Sequence, residues 1–344
     1  MSGEIYRKQV FVRDLSVGDA VHEVFCVERV ERRTGRSGAF LRVSLVDRTG
    51  SLTGMVWDEV ETLVESLIEG GYARIRGDVE TFRGDLQLKV TAAERWERGV
   101  DPADYLPRGP IPGEESLAGI RELVRSIRDP WIAQLVRAIL DDESLAAAFA
   151  AAPAAKLNHH AYVGGLAEHT LSVMRLCASA ADHYGDLDRD LLLAGALLHD
   201  IGKTIEIAVE PGFPYTEQGT LIGHIPLGFA MVRERIAGIP GFPEEIATDI
   251  GHLVLSHQGE LEWGSPVQPR TAEALVLHFV DNLDSKVATA RVHLEGIEAG
   301  QGPYVRSLGR SLFRRAAREA PDPPAHVGGG PDREGEPTLF DRLD

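Results

Sequence analysis

The sequence predicts a multidomain α and β molecule: a small all-β barrel followed by an all-α region. Three observations carry that prediction. Apolar residues alternate with a period of two from about Val10 to Trp96, then take helical spacing from Leu117 to about Ala317. The stretch "GVDPADYLPRGPIPGEES" between them is rich in Pro and Gly and reads as a linker. A chain of 344 residues with 43% hydrophobic content is long enough to build two or three separate cores.

Element by element, "AVHEVFCVERVERR" alternates as one strand. "AFLRVSLVDRTGSLTGMVW" gives two strands around an Arg-Thr-Gly turn, and "GYARIRGDVETFRGDLQLKV" two more around Arg83-Gly84-Asp85. Between the third and fourth, "DEVETLVESLIEGG" has helical spacing at Val60, Leu63, Val64 and Leu67 and stops at Gly70-Gly71. Five strands with a helix after the third is the order of a five-stranded OB-type barrel. We place it at residues 10–98, the linker at 99–116, the helical domain at 117–317 and a tail at 318–344. The tail is dominated by Pro, Gly and charge, a composition that favours disorder. Its terminal "PTLFDRLD" sets Leu339, Phe340 and Leu343 as a short peptide ligand for another protein would, or for docking on the chain's own surface.

Composition excludes several classes. No run is long enough for a membrane span, the first residues lack the apolar core of a secretory signal, and two cysteines, Cys26 and Cys177, imply no disulfide framework. A cytoplasmic protein is expected. The net charge of −17 argues against a generally polyanion-coated surface. Yet Arg29, Arg32, Arg33, Arg36, Arg42 and Arg48 are opposed only by Glu31 and Asp47 between positions 29 and 48. Long apolar helices also leave room for a homo-oligomer interface.

The helical domain holds the chemistry. His169, His199-Asp200, His224, His257 and Asp281 each lie in or beside an apolar helical segment. A buried polar group without a partner costs about 1–3 kcal/mol, and a buried charge more. Any one of them alone is ordinarily a core histidine bonded to a carbonyl. Repeated in five separate segments, the pattern suggests convergence on metal. Imidazole and carboxylate suit Mn, Fe, Zn, Ni or Co, and the supply of both permits a bridged pair of ions.

In order, these residues resemble the signature of HD-domain metal-dependent phosphohydrolases, with Lys203 in "HDIGK" also matching. The segments "NHHAYVGGLAEHTLSV", "DLLLAGALLHDIGKTIEI", "GTLIGHIPLG", "HLVLSHQGE" and "EALVLHFVDNLDSKV", preceded by the OB-like domain, closely resemble YhaM-type 3′-to-5′ exoribonucleases from about Val10 to Arg291. The resemblance implies two divalent ions, foremost Mn, with Fe, Co, Ni, Zn and Mg open. His169, His199, Asp200 and Asp281 would hold one ion, and Asp200, His224 and His257 the other. Asp200 would bridge, and Lys203 would steady the non-bridging phosphate oxygens; otherwise Lys203 is an exposed lysine near a helix C-terminus. The family reads "SHHG" where this chain has Ser256-His257-Gln258-Gly259. Gln258 is a poor transition-metal ligand but can hydrogen-bond substrate.

Around that set, Glu168 is either a carboxylate that orients His169 or holds a water, or a solvated charge, and Asp284, one turn after Asp281, suits support of a ligand. His159 and His160 could touch phosphate or be surface residues; His252 is turned off the His257 face. In the barrel, Phe40, Trp57 and Phe82 are the candidates to stack bases, and the loop carrying Arg32, Arg33 and Arg36 would track phosphates. Aromatics on strands are more often core, and Arg83 could be only a hairpin turn.

The expected activity is therefore 3′-to-5′ hydrolysis of single-stranded RNA, or single-stranded DNA, to nucleoside 5′-monophosphates. The competing readings are an HD-type phosphohydrolase of free nucleotides whose barrel serves regulation or assembly, and a binding module with a structural metal.

Overall fold

The computed structural model describes residues 5–35, 38–82, 84–156 and 160–316. Arg36, Arg83, His159 and the tail with Leu339, Phe340 and Leu343 lie outside the described residues.

Strands β1 (Ala20–Gly35), β2 (Gly38–Asp47), β3 (Gly50–Val56), β4 (Tyr72–Phe82) and β5 (Asp85–Arg95), with helix α1 (Val60–Val64) between β3 and β4, close a barrel in the order β1-β2-β3-β5-β4. All pairs are antiparallel except β3 with β5. This is the OB-type barrel the strand count predicts. Its interior is filled by Phe25, Leu41, Leu45, Ile75 and Leu88, each wholly buried.

The arginine-rich stretch read as a loop joining the first two strands is itself strand: Arg32 pairs with Leu41, Arg33 with Phe40 and Thr34 with Ala39. Arginine stems lie along a sheet face while their heads stay solvated, so a basic run does not by itself end a strand.

The helical region comprises α2 (Gly113–Val124), α3 (Pro130–Leu140), α4 (Glu143–Ala151), α5 (Gly165–Tyr184), α6 (Arg189–Leu198), α7 (Lys203–Glu206), α8 (Glu217–Leu221), α9 (His224–Ala237), α10 (Glu244–Ser256) and α11 (Ala272–Leu294). Helix α2 begins inside the segment expected to be linker. Asp129 caps α3 by accepting from Trp131 and Ile132 N–H groups, with Pro130 opening the helix, and Asp188 caps α6 by accepting from Leu191 N–H. Every residue of α6 from Leu191 to Leu198 is buried. It is the central helix of the apolar core.

The chain divides into two compact units at Val292/His293. In the second, β6 (Gly300–Val305) and β7 (Arg310–Arg314) pair as an antiparallel hairpin. An all-α reading as far as Ala317 is therefore wrong for this segment. Gly300, Gly302 and Pro303 are poor helix formers, and Gly309 takes the left-handed conformation, φ 64°, that ends the turn before β7. Among the described residues no helix is long and apolar enough to cross a membrane.

Candidate metal centre

Helix α6 ends in polar residues because its burial delivers them to the middle of the domain. The His199 N–H still bonds Gly195 O at 2.9 Å, so the helical path runs into His199 and places Asp200 just beyond. The turn that follows closes tightly on the start of α9: a Cβ on Gly202 would stand 2.0 Å from the His224 carbonyl oxygen, a space only glycine fits. Helix α5 supplies His169, the first residue of α9 is His224, His257 ends α10, and α11 contributes Asp281 and Asp284.

These side chains form two groups that share one carboxylate. On one side, Asp200 Oδ2 lies 3.3 Å from His199 Nε2 and 3.7 Å from His169 Nε2. The two imidazole nitrogens are 3.3 Å apart, and Asp281 Oδ1 is 3.2 Å from His169 Nε2. On the other, Asp200 Oδ1 lies 3.4 Å from His224 Nε2 and 3.6 Å from His257 Nε2. All six residues expected as ligands are thus brought together, and the atoms of His169, His199 and Asp200, and of Asp200, His224 and His257, lie close enough to share an ion.

The far ring nitrogens fix which way the near ones face. His199 Nδ1 is 2.9 Å from Ala196 O and His257 Nδ1 is 2.8 Å from Val254 O. A carbonyl only accepts, so each Nδ1 carries the hydrogen and each Nε2 presents a lone pair. His224 Nδ1 meets Glu206 Oε1 at 3.0 Å and His169 Nδ1 meets Asp284 Oδ2 at 2.8 Å, carboxylates that impose the same tautomer. Lone pairs and carboxylate oxygens therefore converge with nothing to donate to several of them. Among the described residues, Asp200 Oδ1, His224 Nε2 and His257 Nε2 are buried without a hydrogen-bond partner. Buried acceptors left unpartnered on two imidazoles and a carboxylate fit a cation.

Electrostatics agree. Burial, aided by neighbouring His199, pushes His257 down to about 3, so its ring is neutral. Burial also disfavours charge on His169, but Asp281 and Asp284 outweigh it and hold the ring up at about 9 without metal. Asp200 would be raised by burial, yet the Lys203 ammonium and His199 keep its carboxyl well below the usual range.

Lys203 is not an exposed lysine. It is buried, its Nζ 2.6 Å from Asp200 Oδ2, and that carboxylate holds its proton against burial. Asp284 does more than support from a distance: it receives His169, Ser172 and His160, the last at 3.1 Å. His160 is accordingly a buried neighbour of the site and not a surface residue. Its φ of 49° and the close approach of Gly165, where a Cβ would meet His160 O at 2.0 Å, are tertiary features. Glu168 does not orient His169, since Asp284 already takes Nδ1; its carboxylate instead neighbours Tyr162, whose hydroxyl is pushed up by burial and then by Glu168. His252 accepts from Arg270 N–H, away from the cluster. Gln258 is half-buried beside Gly259, which takes φ +84° against the His278 ring.

Glu206 and His278 were not singled out from sequence. Glu206 sits in "TIEIAVE" like any solvated helix charge; a carboxylate eighteen residues before a histidine gives no periodic signal. His278 fixes the His257 carbonyl at 2.9 Å.

On the barrel, Phe40 and Trp57 are neighbours, ring centroids 4.9 Å apart, and with Phe82 and Arg33 they line one open cleft. Trp57 is 46% and Phe82 57% exposed, so neither is core. Strand alternation puts Arg29, Glu31 and Arg33 on that outer face, and Arg32 on the other, where it pairs with Glu61 of α1. Arg33 pairs with Glu31, which the guanidinium holds below the usual carboxylate range.

Comparison with known proteins places this arrangement. The HD domain family model matches residues 166–286, which contain every residue of the cluster. The 3′-5′ exoribonuclease YhaM of Bacillus velezensis is 34% identical over 290 residues, covering 83% of this chain and 91% of that protein. The protein of the same name from Bacillus subtilis is 33% identical with the same coverage, and that from Bacillus pumilus 36% identical over 268 residues. A solved OB-fold domain of replication protein A from Methanococcus maripaludis aligns with 28% of this chain at 19% identity and a TM-score of 0.21; the barrel assignment stands on its own strand order. With a one-third identity running through both the barrel and the helical region, the chain belongs to the YhaM family of 3′-5′ exoribonucleases.

Proposed function

We propose that the chain is a metal-dependent 3′-to-5′ exonuclease that hydrolyses single-stranded RNA, and single-stranded DNA where offered, to nucleoside 5′-monophosphates in the cytoplasm. The observation that carries this reading is the Asp200 carboxylate, whose two oxygens face two separate sets of imidazole lone pairs. Relatives named as 3′-5′ exoribonucleases support the direction and the substrate.

In this reading His169, His199, Asp281 and Asp200 would hold one divalent ion, and Asp200, His224 and His257 a second, with manganese first among the candidates. When bound, such ions supply a water of lowered pKa and neutralise charge building on the phosphodiester during in-line displacement. The protein's own groups do the rest. Lys203, buried against Asp200, brings a fixed positive charge to the non-bridging oxygens without paying reorganisation at the moment of reaction. Glu206 and Asp284 keep the His224 and His169 tautomers fixed. Gln258, at the position where the family carries a second histidine, contacts substrate. Phe40, Trp57 and Phe82 stack bases while Arg33 meets phosphate.

A pair of duplexes tests this. With Mn²⁺, a 3′ single-stranded overhang is shortened to the duplex edge and a 5′ overhang is left intact, with mononucleotides carrying 5′-phosphate as products. Shortening of the 5′ overhang, or internal cuts, would overturn it.

A further inference from the structure

The stacking cleft does not stop at the aromatics. On the outer face of the barrel Phe40, Arg42 and Ser44 follow one another along β2, and Met55 and Thr53 lie opposite Arg42 and Ser44 on β3. Arg42 and Thr53 line the aromatic cleft and also a second one, which carries Arg29 beside the carboxylates Glu31 and Glu69 and continues over Ser44 and Ser51 to Lys156 of the helical region. The two clefts form one strip, roughly 13 Å from Phe40 to Ser44 at the rise of a strand.

Its far end is a built junction. Glu28 is the extra residue of a bulge in β1, between the register positions Val27 and Arg29. It accepts from Ser44 Oγ at 2.7 Å and lies 3.7 Å from Lys156 Nζ. Two segments of the helical region meet there, one carrying Lys156 and the other Gly212. Lys156 stands four residues before His160, and Ala154 N–H donates to His160 O at 3.1 Å. Gly212, where a Cβ would come within 3.0 Å of the Glu28 side chain, belongs to the loop that leads through α8 to His224.

We propose that this strip is the track of the phosphodiester backbone, and that Lys156 is the phosphate-binding residue at which the strand passes from barrel to metal centre. The proposal rests on the exonuclease reading for its direction: the 3′ end lies in the centre, so bases several nucleotides to the 5′ side stack on Phe40 and Trp57. Lys156 is held at the junction by Glu28, a carboxylate that a substrate phosphate displaces.

The test uses the full-length protein and a single strand of about twenty nucleotides with phosphorothioate linkages, bound across a salt series and followed by fluorescence anisotropy. Lys156→Gln weakens binding about fivefold and flattens the slope of log affinity against log salt by about 0.7, the value of one phosphate contact on a single strand. Lys156→Arg restores both. With hydrolysable substrates, Lys156→Gln lowers kcat/KM more for the long strand than for a dinucleotide, which spans only the centre. Unchanged affinity and slope, or equal losses on long strand and dinucleotide, would overturn the track. If Lys156→Gln weakens binding while the wild-type protein leaves RNA intact, the track stands and the exonuclease reading falls.

Discussion

Glu206 holds His224 from behind: its Oε1 lies 3.0 Å from the imidazole Nδ1 and 2.9 Å from the backbone nitrogen of the same residue. One carboxylate thus fixes both the tautomer of a ring and the start of helix α9. Removing a group that orients a metal ligand costs about ten- to a hundredfold in metal affinity. Glu206→Ala should weaken the tighter-titrating Mn²⁺ site or abolish the weaker one, read by calorimetric titration, with activity recovering at excess metal. Metal binding equal to wild type would show that the contact is only structural.

Removal of metal should cost stability. A cluster of buried acceptors is unfavourable without a cation, and a ligand at a hundred times its dissociation constant stabilises by about 2.7 kcal/mol. For domains of this size that corresponds to a rise of roughly 5–10 °C in melting temperature. Calorimetry in Mn²⁺ and then in chelator should show the helical domain melting earlier in chelator, and Asp200→Ala should erase the difference.

Base stacking predicts a length-dependent effect on the barrel. Phe40 and Trp57 contact each other, and stacking on an aromatic contributes about 1–3 kcal/mol per base. The double variant Phe40→Ala with Trp57→Ala should raise KM for a long single strand at least fivefold, with a much smaller change in kcat. Kinetics at limiting substrate decide it; an unchanged KM would remove the cleft from the substrate path.

Lys8 gives a pH prediction remote from the metal. Its ammonium is wholly buried over Phe25, 2.8 Å from Val24 O and 3.5 Å from Asp47, and burial lowers it to about 8 despite Asp47 and Glu23. The folded state therefore binds this proton less tightly than the unfolded chain. At this group unfolding takes up a proton between about pH 8 and 10.5, so the Lys8 contribution to stability rises with pH across that window, by up to about 1.4 kcal/mol per unit. Tyr6, raised by burial and Glu23 to about 12, acts in the opposite sense above pH 10, and the buried Cys26 and Cys177 thiols, each pushed up to about 12, do so from about pH 9. The change in urea midpoint from pH 7.5 to 9.5 should be less favourable in Lys8→Met than in the wild type, and an equal change in the two would contradict a proton held weakly on Lys8.

Much of this molecule could be read from its sequence because the signals are periodic or local. The five alternating runs and the helix at Val60 predict the barrel, and the polar residues interrupting apolar helices point to where α5, α6, α9, α10 and α11 converge. What was hidden depends on pairing at a distance. Glu206 and His160 look like surface residues until the fold brings His224 and Asp284 to them. The arginine run in β1 reads as a loop because charge is taken for solvation, while its partners Phe40 and Leu41 make it strand. The hairpin after Gly300 was masked by the helical residues on either side, although its glycines and Pro303 already argue against helix.

The most direct test of the central claim is a time course with a 5′-labelled single-stranded RNA, Mn²⁺ and purified protein, run beside Asp200→Asn and a chelated control. Because the two oxygens of Asp200 face both groups of imidazoles, a ladder that shortens from the 3′ end in the wild type should slow by roughly a thousandfold or more in the variant and stop in chelator. Cleavage that persists in Asp200→Asn or in chelator would contradict a metal centre built on that carboxylate.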